Sequence, residues 1–421
     1  MQFVLLEIVD LGGENVSLIV LKFGGTSVAD VEKMFNAAKI ITEAYDAGNS
    51  VVAVVSAQGR TTDQLIDKAK EINDTPSLRE MDVLLSTGEQ VSIALLAMAI
   101  EKIGYPVVSL TGLQAGITTD SNYGNAKVRN INSKRILKEL EDKKIVIVAG
   151  FQGIDCNGDI TTLGRGGSDT TAVALAAVLK ADVCEIYTDV GGVYTADPKI
   201  VKDAAKLDNI SYDEMLELAS VGAKVLHNRS VELAKRYNVN LIVKSCFKRD
   251  SGTKVKETGC IEDKTVRGVA KDDNIAKVAV IGMENKTNTA FKLFSVLAKH
   301  NIDADIIVQT EGIENTNNIY FTVKRANLSK TISELKRNID VIGAKKIESN
   351  DKLSKVSIVG AGIVNTPGVA AQMFEALDNA GIYVHLINKS EMKISVIVDE
   401  QFSETAVKAI HDKFKLGDLI V

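Results

Sequence analysis

Cysteine is scarce in this chain of 421 residues, and the four present, Cys156, Cys184, Cys246 and Cys260, are scattered. None forms a CxxC pair, so the spacing offers neither a metal knuckle nor a disulfide framework, and it points to a reducing, cytoplasmic compartment. Long apolar runs are also missing. The longest, near residues 93–100, falls far short of a membrane span, and the first residues lack the basic start and apolar stretch of a signal peptide. Runs of Lys and Arg are short and the net charge is only -5, so neither nucleic acid nor a membrane is an expected partner. That mild acidity leaves anionic substrates open, because a site needs only a few local cations and amides. Neither a GxxxxGK[ST] loop nor a GxGxxG turn occurs, and the four histidines fall in no recognised motif.

What is present is a long alternation. At 45% apolar residues the chain can build full cores, and its length suits about two to four domains. Strand-like runs rich in Val and Ile fall at 17–23, 51–55, 106–110, 145–148, 183–187 and 240–243, with helical patterns at 30–47, 89–103 and 168–179 between them. Near-continuous apolar strands separated by helices predict an α/β unit over 16–247, with a central, mostly parallel sheet between helices. Residues 248–274 are polar and glycine-dotted and read as a linker, with room for a short strand. Beyond it, 275–349 and 350–421 each read as a ferredoxin-like βαββαβ unit, an internal repeat. Residues 1–15 fit poorly: a short apolar run leads into Gly12-Gly13-Glu14, which a purine-rich ribosome-binding site would encode, so this segment is expected to be an upstream extension with Val16 as a GTG start.

Three polar segments follow strands. Lys22-Phe23-Gly24-Gly25-Thr26-Ser27 joins a cation, two glycines and two hydroxyls at a strand end, a cradle for phosphate if it is more than a plain turn. Residues 161–171 place Gly164, Arg165, Gly166 and Gly167 before a helix that opens Ser168-Asp169, where Arg165 offers a fork for a carboxylate. On spacing alone Asp169 is a first-turn helix anion. Residues 188–199 lie where an open α/β sheet binds ligands, with Tyr194 and Lys199 available to a base and a phosphate; a long surface loop is the alternative.

In this order the segments KFGGTS, TTLGRGGSDTTA, YTDVGGVYTADPK and GAKVLH resemble the amino acid kinase family, in the wording of its aspartokinases, over nearly the whole chain from Val16. The resemblance implies an ATP- and Mg2+-dependent kinase acting on the side-chain carboxylate of L-aspartate, followed by tandem ACT domains that bind lysine, threonine or both as feedback effectors. It implies that Lys22 and Asp169 are catalytic, and that Ser56, Thr62, Glu89, Arg165 and Ser168 bind aspartate. For ATP it implies Lys22, Phe23, Gly24, Gly25, Thr26, Thr188, Asp189, Tyr194, Asp197, Lys199, Lys224 and Val225. No protein site dedicated to a metal is implied. Glu89 has a rival reading, since Ser86-Thr87-Gly88-Glu89 looks like a capping box before the apolar helix, and Thr62 has one as a helix cap. His227 reads as structural. Effector positions implied are Asn285, Asn288, Ala290, Asp305, Gln309, Tyr383, Val384, Ser390 and Glu391, in a homodimer or homotetramer joined through the ACT domains. The chain departs from the family at 285–288, where Asp-x-Pro-Gly is replaced by Asn-Lys-Thr-Asn, while Thr366-Pro367-Gly368 is kept; Lys199 stands where many relatives have Arg. A silent amino-acid-binding regulator would have lost Lys22, Arg165 and Asp169, and another acid or carbamate kinase would lack Arg165, Glu89 and the ACT pair.

Overall fold

The computed structural model describes residues 17–223, 225–257, 265–313 and 315–418. The expected extension at 1–15, Lys224 and Cys260 lie outside them.

Strands β1 (Leu18–Phe23), β2 (Ser50–Val55), β3 (Val107–Leu110), β6 (Ile145–Ala149), β9 (Val183–Thr188), β10 (Asn209–Ile210), β11 (Leu241–Ser245) and β12 (Thr253–Val255) form one sheet in the order β10-β12-β11-β9-β1-β2-β6-β3. The central six, from β11 to β3, run parallel. The inner strands β1, β2 and β6 are buried on both faces, as their Val/Ile runs require. Helices α1 (Val31–Asp46), α2 (Thr61–Ile72), α3 (Leu78–Lys102), α4 (Lys134–Glu141), α5 (Gly167–Leu179), α6 (Tyr212–Ser220) and α7 (Asn228–Tyr237) complete this unit. Met34, Ile41, Leu96 and Ile100 of α1 and α3 pack on one face with Leu21 and Phe23; Val173, Leu175 and Val231 of α5 and α7 pack on the other with Leu18 and Val20. A small sheet, unexpected because its strands are short and polar, pairs β4 (Ile117–Thr119), β5 (Val128–Ile131), β7 (Gln152–Ile154) and β8 (Ile160–Thr162).

Helix α3 corrects an expectation. It begins at Leu78, capped by Ser77, whose hydroxyl accepts from Glu80 N, so residues 86–89 lie mid-helix and form no capping box. Among the described residues α3 alone is long and apolar enough, by length and composition, to cross a membrane. Its Ile93, Leu96 and Ile100 fill the core instead.

The second half is a six-stranded antiparallel sheet, β14-β15-β13-β16-β18-β17, of β13 (Gly268–Glu284), β14 (Ile307–Glu311), β15 (Thr316–Lys324), β16 (Lys346–Val359), β17 (Leu386–Lys389) and β18 (Lys393–Asp399). Helices α8 (Thr289–Lys299), α9 (Leu328–Arg337), α10 (Ile339–Ile342), α11 (Val369–Asn379) and α12 (Ser403–Lys413) cover it. The repeat is present but interlaced. The later part of β13 and the earlier part of β16 belong to the first unit, where Val278 pairs with Ser349. The earlier part of β13 pairs with the later part of β16, Val269 with Ile358, and joins the second core. The expected linker 248–274 therefore holds β12 and a strand of the second unit, and no strand is seen among the described residues after α12. The polar stretch Lys271-Asp272-Asp273-Asn274 hid that strand, because its two halves belong to different cores.

Candidate active site

Leu18 and Val20 face the α5 side of the sheet, and the period of two puts Lys22 there too. Lys22 is nearly buried, and its Nζ lies 2.5 Å from Asp169 Oδ1 in the first turn of α5. The contact is an ion pair without the alignment of a hydrogen bond, since Asp169 Oδ1 has no hydrogen-bond partner among the described residues. A lysine this deep needs a counter-charge, so the first-turn anion serves the strand rather than the helix alone. A Cβ on Gly24 would stand 3.6 Å from Lys22 Nζ, and one on Gly25 would lie 2.5 Å from Ala57 O, so Gly25 tolerates no side chain where the two loops touch. Those loops are tied by Ser56 N donating to Phe23 O and Gly59 N to Gly25 O. Thr26 follows in a short 3-10 turn.

Ser56 follows β2, and the next amide, Ala57 N, donates to Glu89 Oε1 at 3.1 Å. Glu89 is buried in α3, its Oε2 has no hydrogen-bond partner among the described residues, and burial raises its carboxyl to about 7, opposed by the Ala57 amide. Gly88 permits this approach, as a Cβ there would meet Ala57 Cβ at 2.8 Å. Thr62 sits in the first turn of α2, whose cap position is Arg60, so it is not the cap.

The arginine loop joins β8 to α5 through two left-handed glycines, Gly164 (φ 75°) and Gly166 (φ 72°). Its floor is rigid. Asp82, fully buried, accepts from Thr162 N, Thr162 Oγ1 and Gly124 N, and Arg229 donates to Leu163 O and Ala126 O. His227 caps α7 and packs under Gly166, where a Cβ would be 2.3 Å from its own; burial lowers its pKa. On this base Arg165 is exposed, with no ion-pair partner among the described residues. Ser168 packs against the end of β6, where a Cβ on Gly150 would lie 2.6 Å from its Oγ. Lys22, Asp169 and the arginine loop thus share one face and one edge of the sheet, and Glu89 reaches that edge from the other face.

Thr188 ends β9 beside β1 and donates to Asp189 Oδ1, while Tyr187 stacks on Phe23 at 5.0 Å. Tyr194 folds back over Gly191, where a Cβ would lie 2.9 Å from its hydroxyl and 3.2 Å from Asp250 Oδ2; Asp250 pairs with Lys206 at 3.2 Å. Asp197 and Lys199 lie on an exposed turn in which Asp197 Oδ1 accepts from Lys199 N. Val225 is half-buried against the α5–α7 core. Asp82, Arg229, Lys206 and Asp250 went unnoticed in the sequence, since each is a lone charge made meaningful only by folding.

The effector positions form two groups. Asn285 bonds Asn315 and Asn317 near Asn288 and Ala290 at the start of α8, and Gln309 lies on edge strand β14. Tyr383 and Val384 precede β17, and Ser390 and Glu391 follow it, at the opposite edge. One chain does not bring the two groups together. Asp305 is engaged otherwise, in an ion pair of 2.6 Å with buried Lys355.

Residues 17–245 match the amino acid kinase family, and residues 356–414 match the ACT domain. An aspartokinase of Bacillus sp. (strain MGA3) is 52% identical over 403 residues, covering 96% of this chain and 98% of the relative. The crystal structure of E. coli aspartokinase III in complex with aspartate and ADP (R-state) superposes with a TM-score of 0.80 at 25% identity, covering 94% of this chain and 99% of that one. The same enzyme in complex with lysine and aspartate (T-state) gives 0.73 at 25% identity, again covering 94% of this chain and 99% of that one. The chain belongs to the amino acid kinase family and, within it, to the aspartokinases.

Proposed function

We propose that this chain moves the γ-phosphoryl group of ATP onto the β-carboxylate of L-aspartate at the sheet edge between Lys22 and the arginine loop, giving 4-phospho-L-aspartate and ADP. The product opens the route to lysine, threonine and methionine. The observation that carries the assignment of roles is the Lys22–Asp169 pair at the foot of the helix that presents Arg165. An aspartate side chain, with a reference pKa near 3.9, is ionised at neutral pH and needs no general base. The obstacle is repulsion between two anions, and positioned cations and amides lower it. Lys22, Gly24, Gly25 and the start of α5 cradle the transferring phosphoryl group. Arg165 grips the substrate α-carboxylate, and Glu89 with its unpartnered oxygen receives the ammonium group, with Ser56, Thr62 and Ser168 around them. Thr188, Asp189, Tyr194, Asp197, Lys199 and Val225 border the nucleotide.

Magnesium fits this site as a phosphate-bound ion: Asp169 Oδ1 is engaged by Lys22 Nζ at 2.5 Å, so Asp169 would orient the lysine beside the ion, and phosphate and water would supply its ligands. When bound, it neutralises triphosphate charge. ATP-dependent hydroxamate formation tests the reading, with aspartate expected as acceptor; activity with glutamate or acetylglutamate but not aspartate would overturn it.

The same proposal extends to regulation. The units 275–349 and 350–421, after the catalytic unit 16–247, sense lysine, threonine or both. The effector groups at the two sheet edges support a C2 dimer that pairs one edge with the other, or a tetramer built from it. Inhibition follows if the effector prefers the inactive arrangement. Cytosolic residence is supported by the free thiols Cys156, Cys184 and Cys246.

A further inference from the structure

Thr195 and His411 join the two halves of the chain. Thr195 lies in the segment that follows β9, His411 on α12, and Thr195 Oγ1 meets His411 Nε2 at 3.0 Å in a buried hydrogen bond. The same hydroxyl accepts from Ala205 N at 3.0 Å. His411 is fully buried, yet its Nδ1 has no hydrogen-bond partner among the described residues. A polar atom stranded this way costs free energy unless something occupies its lone pair. Two carboxylates flank it. Asp412 Oδ1 stands 3.9 Å away, too far for a hydrogen bond, and Asp203 completes a group whose three ligand atoms lie within 4.8 Å of one another. Both aspartates are exposed, so an ion can enter from solvent. The C-terminal turn closes over Asp203, where a Cβ on Gly417 would be 3.0 Å from its Oδ2.

We propose that Asp203, His411 Nδ1 and Asp412 form a site for a divalent transition-metal ion that clamps the catalytic unit to the second regulatory unit. Ligands of one ion stand about 3–4 Å apart, and rotation of two exposed aspartate side chains closes the remaining gap. One imidazole nitrogen with two carboxylates suits Zn2+, Co2+ or Mn2+ better than Mg2+ or Ca2+, which favour all-oxygen shells. Burial lowers the His411 pKa, which keeps the neutral imidazole that a metal requires. Thr195 then has a second role. Accepting from Nε2–H, it orients the ring and leaves Nδ1 as the donor. Asp203 follows the nucleotide-bordering segment, so the ion would tie that segment to α12.

The test uses the full chain, stripped with a chelator and titrated with Co2+ in excess Mg2+. Visible absorption and thermal melting are followed. The expected result is saturation at one Co2+ per chain with a rise in Tm. Asp203→Asn and Asp412→Asn, both isosteric and exposed, should each weaken binding by about tenfold or more, since even outer partners of a metal ligand contribute that much. The pairs His300–Glu334 and His385–Asp399 are the competing surface histidines. His300→Gln with His385→Gln should leave the titration unchanged. Absence of stoichiometric binding, equal affinity in the aspartate variants, or loss of binding in the histidine double variant would each overturn the proposal.

Discussion

Ala57 and Glu89 meet through one hydrogen bond of 3.1 Å that satisfies a single carboxylate oxygen and leaves the other buried with no hydrogen-bond partner among the described residues. The protein holds an acid where an ionised acid is unfavourable, and Gly88 lets the loop come close enough to do so. Such a group is a ready partner for a cation.

Replacing Glu89 with Gln keeps the Ala57 bond and removes the charge. Its carboxyl sits at about 7 in the fold against an ordinary 4.5. A raised acid stabilises the fold fully below its unfolded pKa and loses that contribution as pH rises through about 7. At pH 8 the variant should be more stable by up to about 3 kcal/mol, since each pH unit between the folded and unfolded values is worth about 1.4 kcal/mol. Aspartate KM should rise sharply. Calorimetric melting and steady-state kinetics check both; a variant that melts lower and binds normally would refute the role.

The same group predicts a pH profile. Aspartate binding needs the Glu89 carboxylate, so aspartate KM should climb by about tenfold per pH unit as pH falls below 7, while kcat at saturation changes little. The slope should vanish in Glu89→Gln. A flat KM between pH 6 and 8 in the parent chain would remove Glu89 from substrate binding.

Lys22→Met should lower kcat by about 100-fold or more, the usual loss when a positioned charge is taken from a transition state. Asp169 then loses its only ion partner among the described residues, so Asp169→Asn in the same background should restore stability but not turnover. Hydroxamate assays and melting curves separate the two effects. Unchanged turnover would exclude Lys22 from catalysis.

Gly166→Ala should collapse the arginine loop. The residue needs φ 72° and has His227 Cβ at 2.3 Å from the added methyl. A loss of at least about 1 kcal/mol in stability and a raised aspartate KM are expected, with ATP affinity changing less. Equal losses for both substrates would show that the loop serves the nucleotide too.

Much of this was legible in the residues. The Val/Ile runs announced the parallel sheet, and Lys22 and Arg165 stood out as cations among glycines at a strand end and before a helix, while Asp169 read as a first-turn anion until the family resemblance implied a catalytic role. No spacing announced the Lys22–Asp169 pair, since it joins residues far apart in sequence; only the family resemblance linked the two. The start of α3 was not legible: Asp82 and Ser86 look like surface residues until Thr162 and Gln152 are found bonded to them. The strand at 268–272 escaped because charge at its end breaks the alternation that marks a strand.

Strand β13 runs from one regulatory core into the other, and that continuity governs how the chain can be divided. A fragment starting at residue 275 would keep the first unit whole but rob the second of an internal rib, opening a groove beside β16. Such a fragment would borrow the missing segment from another molecule or pair groove to groove. The regulatory half is thus one unit inserted in another, and only a cut or fusion that treats it as a single piece keeps both cores whole.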